Sequence, residues 1–353
     1  MDSIFLELLG KCKEMNASDL HLTVGIPPVL RIYGKMFRIG DVKLTPEDID
    51  RYVHQSLNEE QLRKLEEIGE IDSALSIKGK ARFRINIFRQ RGSYSIAMRN
   101  IDSTILTVAQ LGLPTQIRDF TKKINGIVLV TGPTGSGKST TLATLINIIN
   151  HERDCHIITL EDPIEFLHRH DKGIVNQREI GIDTQNYHNG LRAAMREDPD
   201  VILIGEMRDY ESIAIALTAA ETGHLVFSTL HTIGAAKTID RIIDVFPPNQ
   251  QQQIRTQLSM ALQGIISQQL IPHIDGKGRE VAVELMIMNP AIRNLIREAK
   301  SPQIDNVIMT SGNQGMITMD NSLLTLYKHN KITYEDMINY CVDSEYIKQN
   351  MNK

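Results

Sequence analysis

Gly132-Pro133-Thr134-Gly135-Ser136-Gly137-Lys138-Ser139 fills every position of the pattern G-x-x-x-x-G-K-[ST]. A short apolar run, Ile127 to Val130, precedes it, and a helical pattern from Thr140 to Ile149 follows. The glycines let successive backbone N–H groups curl around a phosphate with no Cβ in the way. The following helix N-terminus adds partial positive charge. In such a loop Lys138 reaches the β- and γ-phosphates, and the Ser139 hydroxyl holds Mg²⁺. A plain Gly-rich strand–helix turn is the alternative, and the correct strand and helix flanks argue against it. The expected nucleotide contacts are Gly132, Pro133, Thr134, Gly135, Ser136, Gly137, Lys138, Ser139 and Thr140, with ATP and Mg²⁺ as cofactors.

Downstream, β-branched runs recur at His156 to Leu160, Val201 to Ile204 and Leu225 to Ser228. Helical stretches separate them, Tyr187 to Arg196 and Tyr210 to Glu221 among them. Apolar strands alternating with helices indicate an α/β fold with a parallel sheet buried on both faces. Two acidic clusters follow these strands: Glu161-Asp162-Pro163-Ile164-Glu165 and Gly205-Glu206-Met207-Arg208-Asp209. The carboxyl ends of parallel strands are where open α/β sheets bind ligands. Phosphoryl transfer to water needs one carboxylate at the metal and one that activates water. Glu206 is the candidate in the second cluster; Glu161 and Glu165 compete in the first. A strand with a histidine near each end, Thr222 to Thr232, puts His231 on the phosphate side and His224 opposite. The tract His168, His170 and Asp171 reads as a solvated loop. Past about residue 290 the pattern is helical and amphipathic, and Gln250 to Gln253 opens a helix after Pro247-Pro248.

The first hundred residues read as a small α+β domain. Phe5, Leu8 and Leu9 form a helical stripe, and Asp19 to Val24 alternates like a strand. Thr45-Pro46-Glu47-Asp48 opens a helix with an N-cap, proline at N1 and acids at the positive dipole end. Ala81 to Ile87 alternates arginine with apolar residues, as a half-buried strand does. Around it lie seven cations, Lys78, Lys80, Arg82, Arg84, Arg89, Arg91 and Arg99, with no acid between. Arg82 and Arg84 share a strand face. Such a run is a solvated face, a nucleic-acid surface, or a set of arginines reaching a neighbouring subunit's nucleotide. The expected boundaries are 1–100 for this domain, 101–122 for a linker and 123–353 for the nucleotide-binding domain.

Composition narrows the classes. Of 353 residues, 39 are basic and 43 acidic, a net charge of −4, which does not favour a dedicated nucleic-acid binder. Trp is absent and aromatics are 5%, so a base-stacking platform is not expected. Three scattered cysteines, Cys12, Cys155 and Cys341, exclude a zinc-binding pair or disulfide framework and fit a reducing compartment. No run approaches the roughly 18 apolar residues of a membrane span. Met1 to Gly10 lacks the basic start and apolar core of a signal peptide. The chain reads as cytosolic, with any membrane role exercised through partners.

The order of these clusters resembles the type II/IV secretion ATPase superfamily, and most closely its type IV pilus retraction ATPases. Ala17-Ser18-Asp19-Leu20-His21-Leu22 is similar to the family's N-terminal signature. Gly132 to Thr140 matches its Walker A motif, Glu161 to Glu165 its Asp box, Gly205 to Asp209 its Walker B motif and Thr222 to Thr232 its His box. Leu191 to Asp200 follows the family pattern too. Ala291-Ile292-Arg293-Asn294-Leu295-Ile296-Arg297-Glu298 resembles the C-terminal signature of the retraction branch. As an amphipathic helix, this segment would bury Ile292, Leu295, Ile296 and Ala299 while Arg293 and Arg297 face a partner. Ile233-Gly234 departs from the family's usual polar residues there. Extension and type II secretion relatives are typically longer, and many carry a four-cysteine zinc motif that three cysteines exclude.

The resemblance implies an N-terminal PAS-like α+β domain joined to a RecA-like ATPase core with a C-terminal helical region, six chains forming a ring. It gives Glu165 as the favoured water-activating base, with Glu161 as the alternative, and Glu206 as the metal-side acid. It makes Arg82, Arg84 and Arg99 candidate γ-phosphate contacts and Arg192 and Arg196 weaker ones, while the strand-end position of His231 lets its imidazole sense the γ-phosphate. It implies a motor that retracts pili by acting on an inner-membrane platform protein, and on pilin only indirectly, from the cytoplasmic face. No zinc and no direct nucleic-acid contact are expected. An extension or secretion motor is the first alternative. A nucleic-acid-linked ATPase, supported by the cationic strand alone, is the second.

Overall fold

A computed structural model describes residues 2–32, 34–77, 81–101, 104–207 and 209–351. Lys78 and Lys80 of the cationic run and Arg208 of the second acidic cluster lie outside the described residues. The chain divides into two compact units, 1–104 with 165–167, and 105–164 with 168–353.

The first unit runs α1 (Ser3–Glu14), β1 (Asp19–Thr23), β2 (Val29–Ile32), β3 (Lys35–Arg38), α2 (Pro46–Ser56), α3 (Glu59–Ile68), β4 (Glu70–Ile77), β5 (Ala81–Gln90) and β6 (Ser93–Ile101). Among the described residues the strands form an antiparallel sheet ordered β3-β2-β1-β6-β5-β4. Alternation along β5 sends Phe83, Ile85 and Ile87 into the core, where Phe5 stacks on Tyr52 at 4.6 Å between centroids. At the start of α2, the Thr45 side chain accepts from Asp48 N, and the Asp48 carboxylate accepts from Thr45 N. That reciprocal box satisfies two donors that a helix start otherwise leaves open.

The second unit runs β7 (Gly126–Thr131), α4 (Lys138–Glu152), β8 (His156–Glu161), β9 (Ile174–Glu179), α5 (Tyr187–Ala194), β10 (Val201–Ile204), α6 (Tyr210–Glu221) and β11 (Leu225–Leu230). It continues through α7 (Ala235–Asp244), α8 (Pro248–Ala261), β12 (Leu262–Pro272), β13 (Arg279–Ile287), α9 (Pro290–Arg297), α10 (Ile304–Thr310), α11 (Met319–Lys328), α12 (Tyr334–Tyr340) and α13 (Ser344–Asn350). The sheet order is β13-β12-β7-β11-β10-β8-β9. Every residue of β7, β10 and β11 is buried, because helices cover both faces. Ile127 and Leu129 join the core on one face, Val128 and Val130 the core on the other. Burial of each such side chain contributes about 1.5–3 kcal/mol.

Three features depart from the expectations. The sheet is mixed: β13 pairs antiparallel with β12, while β12 runs parallel to β7. Residues 262–287 hide this pair because polar Ser267, Gln268 and Gln269 sit buried within an apolar run. Gly264 adds a second interruption, since a Cβ there would collide with the Phe120 ring. Second, the stretch 105–122 supplies Val108, Leu113, Ile117 and Phe120 to the core of the second unit.

Third, within the tract of His168, His170 and Asp171, the last two are exposed in a loop as expected, while His168 is half-buried. The His168 backbone N–H donates to Gln177 Oε1 at 2.8 Å, and His170 Nδ1 accepts from Val175 N at 3.0 Å. Burial, and then the nearby His151, push the His168 pKa down to about 4. A histidine held neutral in the fold but ordinary in the unfolded chain contributes its full share above about pH 6.5. That share is lost as pH falls from about 6.5 towards 4. His168→Gln is expected to flatten the acid limb of the stability–pH curve over that window, by at most about 3 kcal/mol at its low end. Denaturant titrations at pH 4.5, 5.5 and 7 check this; parallel curves for the two proteins would refute it.

Candidate active site

The loop between β7 and α4 is shaped by three glycines with positive φ: Gly132 at 139°, Gly135 at 79° and Gly137 at 88°. Gly132 lies where β12 passes closest, and a Cβ on it would collide with the Gln268 carbonyl oxygen. Helix α4 starts at Lys138 with no side-chain cap. Its first N–H groups are therefore left to a ligand, with the helix dipole behind them. Lys138 is 9% exposed, and its Nζ donates to the carbonyl oxygens of Gly132 at 2.8 Å and Pro133 at 3.0 Å. The ammonium thus lies across the mouth of the loop. The Ser136 hydroxyl is buried and has no partner among the described residues. Uncapped N–H groups, an orphaned hydroxyl and an adjacent cation together suit a polyphosphate. The Ser139 hydroxyl and a strand-end carboxylate are hard oxygen donors of the kind Mg²⁺ takes.

Glu206 follows β10 directly. Thr229 Oγ1 donates to the Gly205 carbonyl at 2.6 Å, Ser228 Oγ to the Ile204 carbonyl at 2.8 Å, and Met207 N to the Thr229 carbonyl at 3.1 Å. Strand β11 thereby fixes the backbone on both sides of Glu206. His231 follows β11, and its Nε2 stands 3.4 Å from Glu206 Oε2. The Glu206 side chain is 15% exposed and that of His231 50%, so the pair sits at the surface end of the strands. His224, at the other end of β11, has Nδ1 2.9 Å from the Ala219 carbonyl and so closes the end of α6. Its place is structural.

The two acids of the first cluster differ. Glu161 Oε1 accepts from Thr159 Oγ1 at 2.7 Å and Gln177 Nε2 at 3.0 Å. Glu165 is half-buried and makes no side-chain hydrogen bond among the described residues. Between them, Ile164 N donates to Glu179 Oε2 at 3.1 Å. Glu179 is 5% exposed and pairs in register with Glu161 on the neighbouring strand. Glu179 is not among the site residues that the sequence singles out. Its strand reads as polar, and only the register with Glu161 reveals it as the anchor of the acidic turn.

The cationic strand lies in the first unit. Arg82 and Arg84 share the face of β5 away from Phe83 and Ile85. Arg84 Nε lies 3.9 Å from Asp72, and Arg99 Nε 3.1 Å from Asp19. Arg192 and Arg196 are exposed on and just after α5.

Helix α9 carries the C-terminal segment. The Asn289 side chain caps it by accepting from Ile292 N at 2.9 Å, and Ile292 and Ile296 are fully buried. Two expectations need correction. Arg293 does not simply face outward: its Nη1 donates to the carbonyls of Ser259 and Met260, the latter at 3.0 Å, and closes the end of α8. Ala299 does not extend the apolar stripe. The helix has ended, and Ala299 is exposed with φ +57°, while Lys300 N returns to the Leu295 carbonyl at 2.9 Å. The outer face is carried by Ala291, Asn294, Arg297 and Glu298. Asn294 Nδ2 donates to Glu298 Oε1 at 2.9 Å.

Residues 58–340 match the family described as type II/IV secretion system protein. The chain is 48% identical over 330 residues to the type IV pilus retraction ATPase PilT of Pseudomonas aeruginosa, covering 94% of this chain and 96% of that one. It is 47% identical over 308 residues to a twitching motility protein of Neisseria gonorrhoeae, covering 87% of this chain and 82% of that one. A crystal structure of the pilus retraction motor PilT with bound ADP superposes with a TM-score of 0.92 at 49% identity, covering 98% of each chain. Among the described residues no helix is long and apolar enough to cross a membrane. The chain belongs to the type II/IV secretion system protein family, as a member of its type IV pilus retraction ATPases.

Proposed function

We propose that this chain binds ATP with Mg²⁺, hydrolyses it, and works as a homohexameric ring that retracts type IV pili. The observation that carries the chemistry is the Glu206–His231 pair at 3.4 Å, at the same strand ends as the Lys138 loop. Lys138 and the uncapped start of α4 hold the β- and γ-phosphates. Ser139 and Glu206 supply oxygen to Mg²⁺, which neutralises charge on the phosphates when bound. Glu165 takes a proton from the attacking water, whose oxygen forms the new bond to the γ-phosphorus. The bond to the bridging oxygen breaks, and ADP leaves with that electron pair. Glu165 suits this better than Glu161, whose oxygen is already engaged by Thr159 and Gln177. His231 reads the γ-phosphate and passes its position to Glu206. Arg82, Arg84 and Arg99 are the cations of the first unit that we assign to γ-phosphate charge.

The ring docks on a platform protein at the cytoplasmic face of the inner membrane, and pilin is moved indirectly. The outer face of α9 is the contact we assign to retraction. Replacing Asn294 and Arg297 together by Ala is expected to leave ATP turnover within about twofold, since neither touches the nucleotide site, and to abolish twitching. Normal retraction by that variant would refute the assignment. Arg293 is a poor probe, because its loss also uncaps α8.

The rival extension or secretion motor makes the opposite prediction for surface pili on deletion. The nucleic-acid alternative is weakened by the acids that Arg84 and Arg99 face within their own sheet.

A further inference from the structure

Glu284, on β13, is 7% exposed. It stands opposite Ser267 in the antiparallel register, so both side chains emerge on the α7 face of the sheet. Together they grip the segment that follows His231. Gly234 N donates to Ser267 Oγ at 2.9 Å, and Ala235 N donates to Glu284 Oε1 at 2.7 Å. Thr232 Oγ1 lies 2.7 Å from Thr238 Oγ1 and closes the remainder of the turn. Leu285 and Ile317 exchange backbone hydrogen bonds at 2.8 and 3.2 Å, which brings the start of α11 alongside β13. The buried carboxylate therefore receives the first N–H of α7, a helix start that has no side-chain cap of its own.

Granted that this site hydrolyses ATP, we propose that Glu284 is a positioning residue for His231, fixing residues 232–235 by its bond to Ala235 and tying them to β13, which pairs with Ile317 just before α11. A carboxylate serves here because it accepts the Ala235 N–H, which an apolar side chain would leave buried and unpaired. The departure at Ile233-Gly234 fits the same arrangement: Gly234, at φ +91°, brings two successive N–H groups onto Ser267 and Glu284.

Burial, opposed by the Ala235 and Met319 N–H groups and reinforced by Asp305 on α10 and Asp320 on α11, lifts the Glu284 pKa to about 7. Lys237 on α7 acts on Asp305, opposing the rise that burial imposes there. The ionised carboxylate is the stronger acceptor, so protonation weakens the hold on Ala235 as pH falls through about 7.

The test is a double-mutant cycle on ATP turnover with the full-length protein. Glu284→Gln is expected to lower kcat at least about tenfold with KM little changed, because geometry near the reacting groups is lost while phosphate contacts remain. In a His231→Ala background the same change is expected to add less than about a twofold loss, since Glu284 acts through His231. Unchanged kcat in Glu284→Gln, or losses that simply multiply, would overturn the proposal. If the variant does not fold, the wild-type protein carries the test. Protection of the Ala235 amide against hydrogen exchange is expected to fall as pH is lowered from 8 to 6, and constant protection would overturn the proposal. Wild-type protein with no turnover would instead overturn the hydrolysis assignment on which this rests.

Discussion

Lys138→Ala is expected to lower ATP turnover by at least about 100-fold while leaving the fold intact. The lysine is the one cation that the loop itself places at its mouth, with Nζ on the carbonyls of Gly132 and Pro133. Moving from those carbonyls to phosphate oxygens exchanges neutral acceptors for charged ones, a stronger bond. Charge on the γ-phosphoryl group and the leaving oxygen rises towards the transition state, so a fixed ammonium there contributes more as the reaction proceeds. Removing one such preorganised donor typically reduces kcat by about 10²–10³-fold. The two lost carbonyl bonds limit the stability change to about 1–3 kcal/mol. Steady-state phosphate release and circular dichroism on the pure variant measure both. Turnover within tenfold of wild type would remove the loop from the mechanism.

Gly132→Ala is expected to be the most damaging single-methyl change in the nucleotide loop. The backbone there has φ +139°, a conformation that L side chains rarely adopt. Space is also missing: the new Cβ would collide with the Gln268 carbonyl oxygen and lie 2.7 Å from Ser136 Oγ. The Gln268 carbonyl is backbone and cannot swing aside, although the Ser136 hydroxyl can rotate. Relief requires β7 and β12 to move apart or the loop to change path, and a change of path removes the N–H cradle. The expected loss is about 3 kcal/mol or more in unfolding free energy, together with loss of nucleotide binding. Gly135→Ala is the control. Its φ is +79°, yet nothing lies within 4 Å of the added Cβ, so only the backbone term of about 1–2 kcal/mol applies. Urea denaturation of both variants separates crowding from strain, and equal losses would contradict the close-packing account.

These contrasts show what the sequence could and could not carry. The phosphate loop was legible because its chemistry is local: three glycines, a lysine and a hydroxyl within eight residues, between a strand and a helix. Glu206 and His231 were legible as strand-end residues, since apolar runs announce where strands stop. Glu179 and Glu284 were not. Each acts on a backbone N–H far along the chain, 15 and 49 residues away, through sheet register that periodicity does not encode. The β12–β13 pair was hidden for a related reason: Ser267 is buried to serve a neighbouring backbone, so the apolar pattern breaks where the strand is most constrained. Arg293 looked like a surface residue by helical spacing, and only the position of α8 shows that it closes another helix. Ala299 failed because a left-handed helix end at a non-glycine residue leaves no mark in hydrophobic spacing.

The direction of the motor is tested most directly by counting surface pili on cells that lack this chain and on the same cells given it back as wild type or Lys138→Ala. Retraction driven by ATP hydrolysis requires excess pili and no twitching in the deletion strain and the Lys138→Ala strain alike, with both defects repaired by wild type. Bald cells on deletion would contradict it and assign the chain to extension instead.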